Sequence, residues 1–281
     1  MASDGQTTTT PRDHFSSLVQ QWSDFGPPLR PSPDDTAVVQ RVVAGLGTAA
    51  RAVVLGLTPE IIGCAWPRDI DLSAVDHSQA MIRALWPPVN RPPNSRVILA
   101  DWCAMPIASN TIDLVAGDGC YIVRTYSEGF ETLTHEVCRV LRGSGRFVIR
   151  VFLRPDRSES VADIACAVAL GEVDSVHALK LRLLGALHGA TGAGTLLDDV
   201  WRAWKTMPPL PIALGGMHGW TSGEIAGIEA YRGMETRYFL PTLAEFREIL
   251  SSALVEVECA WSLHQLADRC PTLVFSRNGK S

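Results

Sequence analysis

The stretch from residue 51 to residue 76 constrains the fold of this chain more than any other feature of the sequence. One apolar run ends at Gly56, and a second ends at Asp76, twenty residues later. Between them, Thr58 and Pro59 are typical of a helix start, with Thr58 as the N-cap and Pro59 at the first helical position. A strand, a tight turn, a helix and a second strand that ends in an acid form the layout of a nucleotide-binding βαβ unit. In such units the acid accepts hydrogen bonds from ribose hydroxyls.

The residues after Gly56 indicate which nucleotide this unit suits. A dinucleotide site carries G-x-G-x-x-G, so that the backbone approaches a pyrophosphate at the helix N-terminus. Here Thr58 stands at the second glycine, Pro59 has no N–H to donate, and Glu60 would place a carboxylate beside a bound phosphate. NAD and FAD are therefore disfavoured. Three alternatives remain: a positively charged nucleoside ligand without phosphates, such as S-adenosylmethionine (SAM), another nucleotide, and an ordinary strand–turn–helix that binds no nucleotide.

The composition is typical of a globular protein in a reducing compartment. The chain has 281 residues, of which 46% are hydrophobic and 20% charged, and this is ample for a packed core in one large domain or two small ones. Its net charge is −5 and it has no lysine- or arginine-rich run, so nothing in it supports nucleic-acid binding. Seven scattered cysteines without a C-x-x-C pair predict neither a disulfide framework nor a metal site. We therefore expect a cytoplasmic protein.

The first 36 residues are expected to precede the folded domain, which we assign to 37–281. Residues 1–11 are polar and lack the apolar segment of a signal peptide, so this end is predicted to be partly disordered. A short helix is predicted over 14–25, followed by a proline-rich extended stretch. Arg30 in that stretch either pairs with a carboxylate near the nucleotide site or is solvated in a simple connector. No apolar run approaches the ~18 residues that span a membrane.

Strands and helices alternate along most of the chain, which calls for a parallel sheet with helices on both faces. The helix predicted over 127–141 is followed by the glycines of 143–145, which we expect to form its C-terminal cap. From about 155 to 238 the pattern is mostly helical, and we predict an insertion that follows the fifth strand and forms a substrate pocket over the strand ends. A purely structural insertion is the alternative. The predicted strands are 51–56, 70–76, 96–100, 111–117, 146–152, 255–261 and 272–276.

Four strand ends carry motifs that, in this order, resemble those of class I SAM-dependent methyltransferases. These are Gly56 to Thr58 after the first strand, Asp76 to Met81 after the second, Asp101-Trp102 after the third and Asp118-Gly119 after the fourth. The resemblance covers roughly residues 51–152. The chain departs from the family's first motif, because Val54 stands where an acid is usual and because Thr58 and Glu60 replace the later glycines.

The resemblance implies an α/β fold with a doubly wound, seven-stranded, mostly parallel sheet whose last strand is antiparallel. It also implies SAM as cofactor. Asp76 would hold the ribose hydroxyls, as a carboxylate does better than a neutral group, and Asp101 would accept from the adenine amino group. Asp118 would lie between the methionine end and the acceptor, and Met81 and Trp102 would line the adenine. The predicted cofactor-binding residues are Gly56, Leu57, Thr58, Asp76, His77, Met81, Asp101, Trp102, Asp118 and Gly119.

Together these features predict an enzyme that transfers a methyl group from SAM to a small organic acceptor. The acidic net charge, the lack of a basic tail and the large apolar insertion favour a small molecule over a nucleic acid or a membrane. A homodimer is compatible with the sequence, no metal is expected, and no catalytic residue is assigned. The unusual first motif keeps open a second class, a non-catalytic SAM-binding or scaffold protein. A third class, a nicotinamide oxidoreductase, is opposed by the missing glycines.

Overall fold

A seven-stranded sheet runs through the part of the chain that the computed structural model describes, namely residues 19, 22–189, 192–207 and 219–278. Its strands are β1 (Arg51–Leu55), β2 (Asp71–Asp76), β3 (Arg96–Leu99), β4 (Ile112–Asp118), β5 (Leu141–Arg150), β8 (Leu254–Ala260) and β9 (Thr272–Arg277). Their order across the sheet is β3-β2-β1-β4-β5-β9-β8. The first five strands run parallel, and β9 is antiparallel to both of its neighbours. The predicted doubly wound sheet with an antiparallel last strand is confirmed.

Helices cover both faces of this sheet and form the insertion. They are α1 (Pro33–Ala44), α2 (Pro59–Ile62), α3 (Gln79–Leu85), α4 (Glu128–Val140), α5 (Val161–Ala169), α6 (Val176–Ala186), α7 (Leu197–Thr206), α8 (Ser222–Glu229) and α9 (Leu243–Ser251). Several begin at a serine or threonine whose side chain accepts from a backbone N–H two or three residues into the helix, which satisfies a donor the helix itself cannot. None of the helices in the described ranges is long and apolar enough to cross a membrane.

The central strands β1 and β4 are mostly apolar because they are buried on both faces. Successive residues of a strand point to opposite sides, so Val54 packs toward α1, α2 and α3, whereas Val53 packs toward α4 and α9. Phe130 of α4 and Phe246 of α9 are fully buried against the second face. This double coverage explains why the sequence of β1 shows a continuous apolar run rather than an alternating one.

The insertion after β5 is confirmed as a helical unit with its own apolar core. Helices α5 to α8 lie between β5 and α9 along the chain, and their buried leucines, such as Leu179 and Leu183, pack together with Leu197. A small two-stranded sheet, β6 (Thr195–Leu196) with β7 (Arg237–Tyr238), closes the unit and was not predicted. Its strands have two residues each, too few to produce a periodic sequence pattern.

Two local predictions need correction or lie outside the structure. The glycine cap at 143–145 is wrong, because α4 ends in an extended Leu141 that leads directly into β5. The carbonyls of Arg139 and Val140 accept instead from the amides of Asn110 and Thr111, both at 2.9 Å, so the helix end needs no glycine. The helix predicted over 14–25 falls mostly outside the described residues, and 22–24 forms a 3₁₀ turn.

Candidate functional site

Four neighbouring parallel strands bring the predicted site residues to one edge of the sheet. The carboxyl ends of β1, β2, β3 and β4 all lie at this edge, and the residues that follow each strand form the loops above it. In open α/β sheets this is the edge at which ligands bind. The topology therefore explains why motifs as far apart in sequence as Gly56 and Asp118 belong to one region.

Gly56 and Trp102 are neighbours at this edge of the sheet. Gly56 has a φ of +84°, a conformation that favours glycine. A Cβ atom added there would lie 3.5 Å from Cζ2 of Trp102 and 4.0 Å from Oδ2 of Asp76. The indole Nε1 of Trp102 donates to the carbonyl of Val75 at 2.6 Å, and this bond fixes the ring over the end of β2. The structure thus brings the first, second and third motifs together.

Asp76 ends β2 as a buried carboxylate, with only 3% of the residue exposed. Its Oδ1 accepts from the amide of Ser78 at 2.7 Å, and Nδ1 of His77 lies 3.9 Å away. Burial raises the pKa of Asp76, while the backbone amides of Ser78, His77 and Leu57 work in the opposite direction by favouring the charged form. A buried carboxylate with acceptor capacity left over is suited to a ligand that brings hydroxyl donors.

The third strand end forms the outer wall of this region. The guanidinium of Arg124 donates to Oδ1 of Asp101 at 2.7 Å and lies over the Trp102 ring, 5.3 Å from its centroid. The His77 ring meets the same indole edge-on, with centroids 5.9 Å apart. Partial burial opposes ionisation of Asp101, but the Cys103 amide and Arg124 outweigh it and lower the pKa of Asp101 below its ordinary value. Asp101 is therefore held as an anion beside the indole.

Met81, Leu57 and Thr58 occupy other positions. Met81 and Leu57 belong to the core that faces α1, on the opposite side of the sheet from the core that contains Trp102, so the structure does not bring Met81 and Trp102 together. Thr58 is the N-cap residue of α2, as predicted, but its side chain makes no capping hydrogen bond. Pro59 occupies the first helical position.

The fourth strand end carries a buried ion pair. Nε of Arg150 donates to Oδ1 of Asp118 at 2.7 Å, and only 2% of Arg150 is exposed. Although burial disfavours the cation, Asp118 and Asp35 raise the pKa of Arg150 above its ordinary value. Gly119, with a φ of +63°, closes the turn where a Cβ would come within 2.6 Å of the Phe152 ring. The pair places a fixed positive charge beside the predicted methionine end.

Residues 22–31, which we call the strap, cross this part of the edge. Nε of Arg30 donates to Oε1 of Glu60 at 2.7 Å, and Nη1 of Arg150 donates to the carbonyl of Pro28 at 2.8 Å. Of the two alternatives for Arg30, the structure has the pairing with a carboxylate. Sequence reasoning missed Arg150 altogether. Its only signal was an arginine at the end of an otherwise apolar strand.

Two buried atoms near this ion pair have no hydrogen-bond partner among the described residues. They are Oε2 of Glu60, an acceptor, and Nη2 of Arg150, a donor. Both side chains interact electrostatically with Asp118, so they belong to one neighbourhood. Buried polar atoms normally have partners, and an unsatisfied acceptor and donor of opposite charge suit a ligand group that carries both an ammonium and a carboxylate. No group of three or more His, Cys, Asp or Glu side chains in the described part of the chain could hold a metal ion.

Comparisons with known proteins bear on the fold. No family model matches the sequence, and no curated protein matches it. Solved structures do match, at low sequence identity. The N-methyltransferase NodS from Bradyrhizobium japonicum, solved with S-adenosyl-L-homocysteine, has 13% identity and a TM-score of 0.53 over 95% of this chain and 100% of its own. A TehB-like SAM-dependent methyltransferase from Corynebacterium glutamicum has 13% identity and a TM-score of 0.50 over 94% and 98%.

A third match carries a different activity in its name. A protein from Rhodobacter sphaeroides, named as a candidate Zn-dependent alcohol dehydrogenase, has 16% identity and a TM-score of 0.59 over 97% of this chain and 100% of its own. The sheet itself separates the two fold types, because the dinucleotide-binding order 3-2-1-4-5-6 has no antiparallel strand between its last two members. Here β9 is inserted antiparallel between β5 and β8. The chain therefore has the fold of the class I, Rossmann-like SAM-dependent methyltransferases.

Proposed function

We propose that the protein is a SAM-dependent methyltransferase that acts on a small organic acceptor. The observation that carries the proposal is a pair of buried, oppositely charged side-chain atoms that have no hydrogen-bond partner in the part of the chain that the structure describes. They are Oε2 of Glu60 and Nη2 of Arg150, at the carboxyl edge of a methyltransferase-type sheet. The methionine part of SAM presents an ammonium and a carboxylate. These two groups match the free acceptor and the free donor in charge and in hydrogen-bonding type.

The remaining site residues fit the rest of the cofactor by their chemistry. Asp76 would hold the ribose hydroxyls, Asp101 would accept from the adenine amino group, and Trp102 would contribute an aromatic surface. Gly56 gives the turn after β1 a backbone conformation, with a φ of +84°, that residues with side chains rarely adopt. Fold likeness to methyltransferases, one of them solved with S-adenosyl-L-homocysteine, supports the same cofactor.

When bound, SAM supplies both the activated methyl group and a sulfur leaving group. The work left to the protein is to align the acceptor with the methyl carbon and to keep water away. The strap is suited to both tasks, because it crosses the edge where the reaction would occur. The helical insertion packs on Ile122 and Phe152, which follow β4 and β5. A general base is required only for an acceptor that must lose a proton.

The alternative, a non-catalytic SAM-binding or scaffold protein, also has an observation in its favour. Asp76 is almost completely covered, and the strap is bonded to Glu60 and Arg150. A cofactor would therefore have to displace parts of the chain before it could bind. Turnover with a panel of small acceptors separates the classes, since a scaffold would bind SAM without releasing S-adenosylhomocysteine. The cytoplasmic location and the homodimer remain predictions.

The proposal is tested by calorimetric titration of the protein with SAM and S-adenosylhomocysteine, with NAD as the negative control. Asp76→Ala should weaken binding of both adenosyl ligands by roughly 1–3 kcal/mol, because it leaves their hydroxyls unpaired. The matched control is Asp71→Ala, at the other end of β2, where the carboxylate pairs with Arg51 and Arg96.

Each result has a defined meaning. Binding of SAM by the native chain that is weakened by Asp76→Ala and not by Asp71→Ala supports the site. Equal affinity in both variants would contradict the ribose assignment. No binding of either adenosyl ligand by the native chain would overturn the proposed function.

A further inference from the structure

The helical insertion contains a lysine that the proposed chemistry does not use. Lys180 of α6 is completely buried, and its Nζ donates to the carbonyl of Gly227 at 3.2 Å. No carboxylate of the described residues lies within ion-pair distance of it. Burial lowers the pKa of Lys180 to about 7. A buried ammonium without a counter-ion is costly to the folded state, and such lysines are typical of functional sites.

Aromatic rings enclose this amine on two sides. Nζ of Lys180 lies 4.5 Å from the centroid of the Phe25 ring and 4.4 Å from the centroid of the Tyr231 ring. Phe25 is also stacked on the imidazole of His177, with centroids 5.3 Å apart and an interplanar angle of 20°. We call the surface formed by His177, Lys180, Gly227 and Tyr231 the ring recess. Its occupant in this structure is the planar side chain of Phe25.

Phe25 belongs to the strap, which connects the ring recess with the candidate cofactor site. Pro28 and Arg30, three and five residues further along, contact Arg150 and Glu60. Release of the strap would therefore open the ring recess and the methionine end of the cofactor site together. This continuity is what an acceptor pocket requires, because the acceptor must meet the methyl carbon.

The charges around the ring recess favour an occupant of a particular kind. Nε2 of His177 is 2.8 Å from the carbonyl oxygen of Asp24 and 3.6 Å from Oε1 of Glu224. The Asp24 backbone carbonyl and the Glu224 carboxylate therefore face the imidazole, whereas the Gly227 carbonyl and the Phe25 and Tyr231 rings contact Lys180. A neutral phenyl ring uses the stacking surfaces of the recess but leaves the lysine without a counter-ion. A ring that carries one negative charge would use the stacking surfaces and would also pair with Lys180.

We propose that the ring recess is the acceptor subsite of the enzyme and that the acceptor is a planar aromatic ring with an acidic hydroxyl, which takes the position of Phe25. The inference rests on the proposed function and specifies its substrate class. The hydroxyl proton passes to Nζ of Lys180 in its neutral form, which burial favours over the ammonium. The phenolate so formed pairs with the new ammonium, and its oxygen becomes the nucleophile for the methyl group.

The test is a titration of the full chain with 4-nitrophenol in the absence of SAM, followed by the visible absorbance of the phenolate. Phe25→Ala removes the occupant and should bind the probe at least about tenfold more tightly than the native chain. Phe25→Ala/Lys180→Met should lose at least about tenfold of that affinity, the equivalent of one hydrogen bond to a charged group. Nitrobenzene, a flat ring without the hydroxyl, should bind both variants equally.

Two outcomes would overturn the proposal. One is that Phe25→Ala binds 4-nitrophenol no better than the native chain, and the other is that Lys180→Met leaves the affinity unchanged. Circular dichroism and thermal melting establish that each variant is folded, and Phe25→Leu, which keeps apolar bulk without a planar ring, replaces Phe25→Ala if that variant does not fold. Because no SAM is present, failure of this titration is distinguishable from failure of the cofactor assignment.

Discussion

Asp118 and Arg150 form an ion pair in a place that water hardly reaches. Removal of one partner would leave the other charged, buried and unpaired. We therefore expect Arg150→Met to lower the free energy of unfolding by about 3–5 kcal/mol, measured by denaturant titration. The control is Arg142→Met, which breaks the more exposed pair of Arg142 with Asp113 and should cost less than about 1 kcal/mol. Equal losses in the two variants would mean that the buried pair contributes no more than a surface pair.

A second residue-scale prediction concerns pH. Nε2 of His264 lies 3.8 Å from Oδ2 of Asp35, whose other oxygen accepts from Ser262 at 2.7 Å and from Thr272 at 3.2 Å. Asp35 raises the pKa of His264 above its ordinary value, against burial and the nearby positive charge of Arg150. When the pKa of a histidine is higher in the folded than in the unfolded state, its protonation stabilises the fold. This stabilisation is complete below the unfolded-state pKa of about 6.5 and is lost as the pH rises through the folded-state pKa.

The native chain should therefore have a higher free energy of unfolding than His264→Gln. The difference between the two proteins should be larger at about pH 6 than at about pH 8.5. Taking the difference between the two proteins removes the contributions of His177 and His188, whose pKa values are lowered mainly by burial. Denaturant unfolding at the two pH values measures the effect. The same difference at both would show that the imidazolium and Asp35 do not interact in the folded state.

Among the elements, the strap is held to the rest of the structure by side-chain contacts. Its backbone is held by Arg30, which bonds to Glu60 and to the carbonyls of Trp22 and Phe25. Arg30→Met should speed hydrogen exchange of amides in residues 22–31. It should lower global stability by less than about 1 kcal/mol, because the Arg30–Glu60 pair is partly exposed.

The comparison is with Arg41→Met, which breaks the exposed pair between α1 and Glu258 on β8. In that variant, hydrogen exchange of the strap amides, measured by mass spectrometry, should be as slow as in the native chain. Equal exchange rates of the strap amides in Arg30→Met and Arg41→Met would mean that Arg30 does not hold the strap in place.

The strands of the large sheet show where local sequence patterns were sufficient to predict an element. Apolar runs bounded by turn residues gave every strand of the large sheet to within a few residues, apart from the start of β5. The predicted start of β5 was wrong because the last carbonyls of α4 accept from the amides of Asn110 and Thr111. These two residues lie 29 residues or more before the end of α4. A helix end that is satisfied by a distant loop leaves no mark in its own sequence.

At the scale of the whole molecule, a ligand that binds only the folded state should stabilise it by mass action. S-adenosylhomocysteine at about a hundred times its Kd should add about 2.7 kcal/mol. For a chain of 281 residues that corresponds to a rise in Tm of roughly 4–5 °C, measured by calorimetric melting. Asp76→Ala at the same ligand concentration should show a smaller rise, and NAD should give none. A rise with NAD that matches the rise with S-adenosylhomocysteine would favour a nicotinamide enzyme.

Local patterns along the chain were sufficient to predict the class of the fold and the edge of the sheet at which its candidate site lies. Alternating strand and helix patterns require a parallel sheet, and parallel strands bring their carboxyl ends, with Asp76, Asp101 and Asp118, to the same side. These inferences depend on local periodicity and on connection rules, which a single chain displays. The tertiary structure alone decided which charges meet. Asp118 and Arg150 are 32 residues apart, Arg30 and Glu60 are 30 apart, and Arg150 and Pro28 are 122 apart. Such contacts depend on how whole elements pack, and no short-range pattern records that packing.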